Sequence, residues 1–336
     1  MSRTTGPRNL ITDVAGIAVG NAEDVAVRTG TTVVLCDPPA IGAVQVLGGA
    51  PGTRETDLLE PHNAVETVHG VVLSGGSAFG LDAASGVQSV LRAQGRGVNV
   101  HGHIVPIVPA AILFDLPNGG DKNWGDMPPY RDLGIMAAQA AGADFAIGSA
   151  GAGYGALTAG LKGGLGSTSE VVEGGFLVGA LVAANPVGSI TYGRSRHFRS
   201  AAFEIGDEFG GIGLPERLPE DAADLRLKFR DLSPSANTTI GIIATDAVLT
   251  KAEAKRLAIS AHDGFARAIW PSHTPIDGDL VFALATGASG RRPEPIEMIA
   301  LCAGAASAMA RAVARGIFAA TPSDGDLFPS WSDLPS

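Results

Sequence analysis

Ser235-Ala236-Asn237-Thr238-Thr239-Ile240, running on as Gly241-Ile242-Ile243-Ala244-Thr245, joins a polar Asn-Thr step to a strand-like apolar run. Asn suits a turn and Thr a pleated surface, so the plain reading is a turn that opens a strand. A second reading attaches to Thr238. A threonine at a new amino terminus carries a nucleophilic hydroxyl together with an α-amine that can serve as its base. That amine has a reference pKa of about 7.7 to 8.0, so part of it is deprotonated at neutral pH.

Outward from this run, short apolar or β-branched segments ended by Gly, Asp, Asn or Pro predict strands at 30–37, 43–49, 70–76, 175–185, 238–246 and 279–287. Helices are expected from Ala78 to Ala93, from the capping box Thr250-Lys251-Ala252-Glu253 to about Ile269, and from Pro295 to Arg315. The order lacks regular βαβ alternation, and an α+β layered sandwich fits it better than a doubly wound fold. With 46 glycines and 5% aromatics, the layers are expected to meet through small side chains. The stretches 115–131 and 205–236 are polar and rich in Pro, Gly and Asp; the second reads as a long loop feeding Asn237. The tail after Ala320 reads as loosely ordered.

The 336 residues suffice for a large core without a metal or disulfide staple. A net charge of −10 and the lack of any Lys/Arg-rich stretch argue against nucleic acid or an anionic membrane as partner. Cys36 and Cys302 lie in apolar runs and read as small buried hydrophobes. The start of the chain has no secretory pattern, and no stretch is expected to reach the roughly 20 apolar residues that span a bilayer. These points together predict a cytoplasmic protein.

Several residues are placed where they can support chemistry at Thr238. In Asp277-Gly278-Asp279 the i, i+2 spacing turns both carboxylates to one side of an extended chain, where they can hold an ammonium and a hydroxyl; the alternative is an exposed turn. Lys162 is flanked by glycines, which let a backbone approach a substrate while the cation meets developing negative charge, or it is a solvated loop lysine. Asn185 ends an apolar strand before Pro186, in the position of an oxyanion donor or of an ordinary Asn-Pro turn.

Competing motifs fail on spacing. Gly151-Ala152-Gly153-Tyr154-Gly155-Ala156 satisfies a dinucleotide fingerprint but lacks a well-formed preceding strand and, apart from Glu170 and Glu173, the later acid at a strand end. Gly75-Gly76-Ser77-Ala78-Phe79 has Phe where a nucleophile elbow needs its second Gly. His101-Gly102-His103 would set two imidazoles on one strand face with Asp115 the next acid, yet a third metal ligand is not identified. No cofactor and no metal are therefore expected.

Taken together, the segments at 10–21, 48–61, 73–87, 160–169, 185–188 and the Asn237-Thr238-Thr239-Ile240-Gly241 step resemble the L-aminopeptidase/D-esterase family of self-processing amide hydrolases. That family includes β-peptidyl aminopeptidases and the nylon-oligomer endo-hydrolase. The resemblance implies an αββα sandwich of the N-terminal-nucleophile-hydrolase kind, in which one domain, 1–336, cuts itself into chains 1–237 and 238–336 that stay associated. It implies Thr238 as nucleophile with its α-amine as base, Asn185 as oxyanion donor, and Lys162, Asp277 and Asp279 around the threonine. It also implies a homo-oligomer of αβ units, a tetramer.

The aminopeptidases of the family look serine-based with a Ser-x-Glu, so Thr238 with Asp277-Gly278-Asp279 is more similar to the nylon-oligomer hydrolase. The short amino terminus and the segment 49–59 look more like the aminopeptidases. The expected activity is hydrolysis of linear amides such as 6-aminohexanoate oligomers. The alternatives are β-peptidyl or D-/L-aminopeptidase activity with esterase activity, acetyl transfer to an amino acid, and an uncleaved scaffold with a degenerate site.

Overall fold

β-branched residues between Thr29 and Val46 build the strand around which the rest is arranged. The structure, a computed structural model, describes residues 3–229 and 237–335; Ser235, Ala236 and the end of the expected loop 205–236 lie outside them. Among the described residues there are eleven strands: β1 (Ile17–Asp24), β2 (Thr29–Val46), β3 (Thr53–Arg54), β4 (Thr67–Ser74), β5 (Val98–Val100), β6 (His103–Val105), β7 (Ala110–Ile112), β8 (Gly164–Val171), β9 (Leu177–Asn185), β10 (Thr238–Thr245) and β11 (Leu280–Ala285). The α-helices are α1 (Ala83–Ala93), α2 (Tyr130–Gln139), α3 (Lys251–Ala268) and α4 (Pro295–Phe318).

Nine strands form one sheet in the order β3-β7-β4-β2-β11-β10-β9-β8, with β1 against β2, while β5 and β6 make a separate hairpin. The strands predicted at 30–37 and 43–49 are thus one strand. Its first part pairs with β1 and β4, its last part with β11, and its pairing with β4 is irregular between Leu35 and Ala40. The exposed Asp37-Pro38-Pro39 falls there, because proline has no N–H to give a ladder.

Period-two alternation then sends successive residues into different cores. Val33, Leu35 and Val72 pack with Val87, Leu91 and Leu133 of α1 and α2. Val34, Val71 and Leu73 meet Leu181, Ile240, Ile242 and Phe282 in a middle core between the two limbs of the sheet. Val182, Ile243 and Val281 pack with Phe265, Leu301, Met309 and Val313 of α3 and α4. Three cores separate four layers, so the architecture is the expected α+β sandwich in the order α, β, β, α.

α3 starts at the expected capping box, with Thr250 Oγ1 accepting from Glu253 N and Thr250 N donating to Glu253 Oε2 at 2.7 Å. The helix expected from Ala78 begins as 3-10 turns over Ser77–Asp82, and α4 runs on to Phe318. By length and composition α4 is apolar enough to cross a membrane, contrary to expectation. Its Leu301, Met309, Val313 and Ile317 are, however, spent on the core under β9 and α3. The tail is also more ordered than expected. Trp331 stacks on Phe198 with ring centroids 5.5 Å apart, and Arg196 lies over its ring.

Candidate active site

Thr238 opens β10, and its register partner on the antiparallel neighbour β9 is Asn185. Directly opposed residues on paired strands project to the same face, so the hydroxyl and the amide share one surface. On the other side Asn237 pairs in parallel fashion with Asp277, whose loop leads into β11. The Asn237–Thr238 bond is therefore clamped between the end of β9 and the Asp277-Gly278-Asp279 turn.

The clamp converges on one carbonyl. Gly278 N donates to Asn237 O at 2.8 Å, and the Thr238 hydroxyl donates to the same oxygen. Asn237 N is held by Ile276 O at 3.0 Å, which fixes the orientation of the peptide. Gly278 has to be glycine: a Cβ there would lie 2.8 Å from Thr238 Oγ1 and 2.8 Å from Ala50 O. Thr238 is 1% exposed, so in the intact chain the hydroxyl is closed off from water.

The two carboxylates face the protein rather than open space. Asp279 accepts from Thr239 N at 2.7 Å and from both the N and Nδ1 of His273 at 2.9 Å. Asp277 accepts from Val187 N at 3.2 Å and from the hydroxyl and N–H of Thr274. The pair expected to hold an ammonium and a hydroxyl is engaged with Thr239 at the start of β10 and with Val187 just past the end of β9. Burial, helped by the charge of Asp279, pushes the Asp277 carboxyl up to about 6. Behind them, burial pushes His262 down to about 4, and its ring centroid lies 4.8 Å from that of His273.

Asn185 is fixed from three directions. Its Oδ1 accepts from Leu157 N at 2.9 Å and from Lys228 Nζ at 2.8 Å, and its Nδ2 donates to Phe114 O at 3.0 Å. Lys228, which the sequence did not single out, is 4% exposed. Burial pushes its ammonium down to about 7 against the opposing pull of Asp277 and Asp115. The signal available was the strict alternation of apolar and basic residues in Leu225-Arg226-Leu227-Lys228-Phe229-Arg230.

Lys162 is buried and not a solvated loop lysine. Its Nζ is ion-paired with Asp326 Oδ2 at 2.7 Å, in a cavity of about 190 Å³ also lined by Arg28 and Tyr154. The tail that was expected to be loose supplies this partner. Its charge is directed at Asp326, whereas Asn185, Asp277 and Asp279 bear on the Thr238 backbone and its neighbours.

The other motifs resolve into structural roles. His101 sits in the turn of the β5–β6 hairpin at φ 50°, so it does not share a strand face with His103. Asp115 is buried on Thr29 Oγ1 and Gly76 N, both at 2.7 Å. Gly151 N donates to Glu23 Oε1 at 2.5 Å within a buried 3-10 turn. Cys36 is buried, its thiol pushed up to about 12 by desolvation, and Cys302 is half-buried.

Comparison with known proteins bears on this arrangement. The model of Peptidase family S58 matches residues 9–327. An uncharacterized aminopeptidase of Mycobacterium tuberculosis is 43% identical over 344 residues, covering 96% of this chain and 98% of its own length. A 6-aminohexanoate-oligomer endohydrolase of Kocuria sp. is 29% identical, covering 84% of this chain and 77% of its own. Among solved structures, the L-aminopeptidase D-Ala-esterase/amidase from Ochrobactrum anthropi, described as a variant of the Ntn hydrolase fold, superposes with a TM-score of 0.67 at 22% identity. That match covers 98% of this chain and 91% of the other.

Proposed function

The chain belongs to peptidase family S58 and is a peptide- or amide-bond hydrolase; on that premise we propose that it matures by cutting its own Asn237–Thr238 bond and then uses Thr238 as an N-terminal nucleophile. The observation that carries the reading is the Asn237 carbonyl, held by Gly278 N at 2.8 Å with the Thr238 hydroxyl on the same oxygen. In the intact chain, with Thr238 1% exposed, the hydroxyl is hydrogen-bonded to its own preceding carbonyl.

In maturation Thr238 Oγ bonds to the Asn237 carbonyl carbon while Gly278 N–H holds the developing oxyanion. The C–N bond breaks, the Thr238 nitrogen takes up the hydroxyl proton, and an ester remains. Water then hydrolyses the ester, leaving a carboxylate on Asn237 and a free hydroxyl and α-amine on Thr238. In turnover the amine takes the hydroxyl proton and Oγ attacks the substrate amide. The leaving amine departs with a proton, and water releases the acyl group. Asn185 Nδ2, on the same sheet face, is the donor for the substrate oxyanion, and Asp279 holds the Thr239 amide next to the nucleophile.

The substrate class proposed is linear amides. The 29% relative named for 6-aminohexanoate oligomers favours ω-amino acid oligomers, and the 43% relative named an aminopeptidase favours short peptides with a free amine. Intact-mass analysis of wild type and Thr238→Ala tests the maturation step. The wild type is expected to give fragments of about 24 and about 10 kDa, dividing 34.0 kDa in proportion to length, and Thr238→Ala a single species. Cleavage of Thr238→Ala at the same bond would refute the assignment. Incubating the mature protein with an aminohexanoate oligomer, a β-peptide and a D-amino acid ester separates the substrate classes.

A further inference from the structure

Lys228 is a buried cation that the chemistry above does not use. It stands on the last described residues before the scission point, nine positions ahead of Asn237. Its own N–H donates to Val187 O at 2.8 Å, which ties it to the Asn185-Pro186-Val187 corner. An ammonium has three hydrogens. Here three oxygens take them: Leu157 O at 2.8 Å, Asn185 O at 3.1 Å and Asn185 Oδ1 at 2.8 Å.

The consequence falls on Asn185. Oδ1 receives two groups that can only donate, the Lys228 ammonium and Leu157 N–H, so the amide cannot be turned over without setting donor against donor. Nδ2 is thereby committed to the opposite side, where one hydrogen goes to Phe114 O and the second is left for the face shared with Thr238. We propose that Lys228 is a positioning residue for the reaction, locking the Asn185 amide with its Nδ2 toward the oxyanion. The proposal rests on the reading of Thr238 and Asn185 given above.

The lock needs the third ammonium hydrogen. The charged groups that bear on Lys228 are Asp277, before β11, and Asp115, after β7, and both favour the protonated form against burial, which pushes it down to about 7. Loss of that proton leaves two hydrogens for three acceptors and frees the amide to turn.

The test compares Lys228→Met, of similar length without a donor, with Lys228→Gln, which keeps one. The readouts are self-cleavage by intact mass, and kcat and KM on a linear 6-aminohexanoate oligomer and an L-amino acid p-nitroanilide. Lys228→Met is expected to lose kcat by roughly 10²-fold, the cost of a misplaced donor, with KM changed less than threefold, and Lys228→Gln to recover at least tenfold of that loss. A mature Lys228→Met with wild-type kcat overturns the proposal, as do equal losses in Met and Gln. If Lys228→Met does not fold, the pH profiles decide. The wild type is expected to lose kcat on the alkaline side as Lys228 deprotonates and Lys228→Gln to lack that limb, whereas identical profiles overturn the proposal. Thr238→Ala separates the two levels. If it still hydrolyses the amide, the reading of the site falls and this proposal with it; if it is inert while Lys228→Met is unchanged, only the role of Lys228 falls.

Discussion

At the scale of single residues, the space around Thr238 Oγ1 is set by Gly278. Replacing Gly278 with Ala would put a methyl 2.8 Å from the hydroxyl and 2.8 Å from Ala50 O, and backbone on one side cannot yield as a side chain can. Self-cleavage of Gly278→Ala, followed by gel over time, is expected to slow by at least about 10²-fold, comparable to the loss of an oxyanion donor. Asp277 supplies a pH signature. Its folded pKa, about 6, lies above the ordinary aspartate value of 3.8, so across that window the folded chain keeps a proton that the unfolded chain has lost. Its contribution to stability is therefore fully present below the lower value and is lost as pH rises through the upper one, by at most about 1.4 kcal/mol per pH unit. Urea titrations of uncleaved Thr238→Ala, with and without Asp277→Asn, are expected to show the Asn variant gaining relative stability from pH 4 to pH 7. The acid pair and Asn185 were legible because each stands near a strand end beside Gly278 or Pro186, and Thr238 because the Asn-Thr step opens an apolar run. Lys228 was not, since its significance comes from Leu157 and Asn185, which a linear reading does not place beside it.

At the scale of elements, legibility followed local signals. β10, β11 and β9 are apolar runs with sharp ends, and the Thr250 box named the start of α3 to the residue. β8 was missed because Gly164-Leu165-Gly166-Ser167-Thr168-Ser169 offers little apolar pattern. Its glycines serve contact instead. A Cβ on Gly166 would lie 1.8 Å from Ala312 O, and one on Gly316 would lie 2.7 Å from Gly166 N, so α4 rests on β8 backbone to backbone. Likewise β2 was split in two because Asp37-Pro38-Pro39 reads as a stop, while tertiary pairing on both sides carries the strand through it. Gly166→Ala is expected to force α4 off the sheet and cost about 1 to 3 kcal/mol, the usual range for overpacking. Thermal unfolding of the uncleaved Thr238→Ala background measures it. An unchanged midpoint would mean that the helix shifts freely over β8.

At the scale of the whole molecule, the proposed cut passes through the middle of the sheet rather than between lobes. Residues 238–336 carry β10, β11, α3 and α4, and residues 1–237 carry the strands on both flanks. β10 is paired along its length with β9, β11 pairs with β2 from Leu280↔Val46 to Ala285↔Ile41, and α4 lies over β8 and β9. Ile240, Ile242 and Phe282 are shared with Leu73, Val34 and Leu181 in the middle core. Hydrolysis removes one covalent bond and none of this burial, so separating the fragments requires dismantling two of the three cores. The mature protein is therefore expected to elute under native conditions as one species holding both fragments, at the position of uncleaved Thr238→Ala, and to split into two only in denaturant. Light scattering on the same column reads whether several αβ units associate. Exposed Ile296 and Ile299 near the start of α4 are apolar side chains available to such a contact. If the smaller fragment elutes alone after cleavage, the sheet order through β2, β11, β10 and β9 does not describe the mature protein.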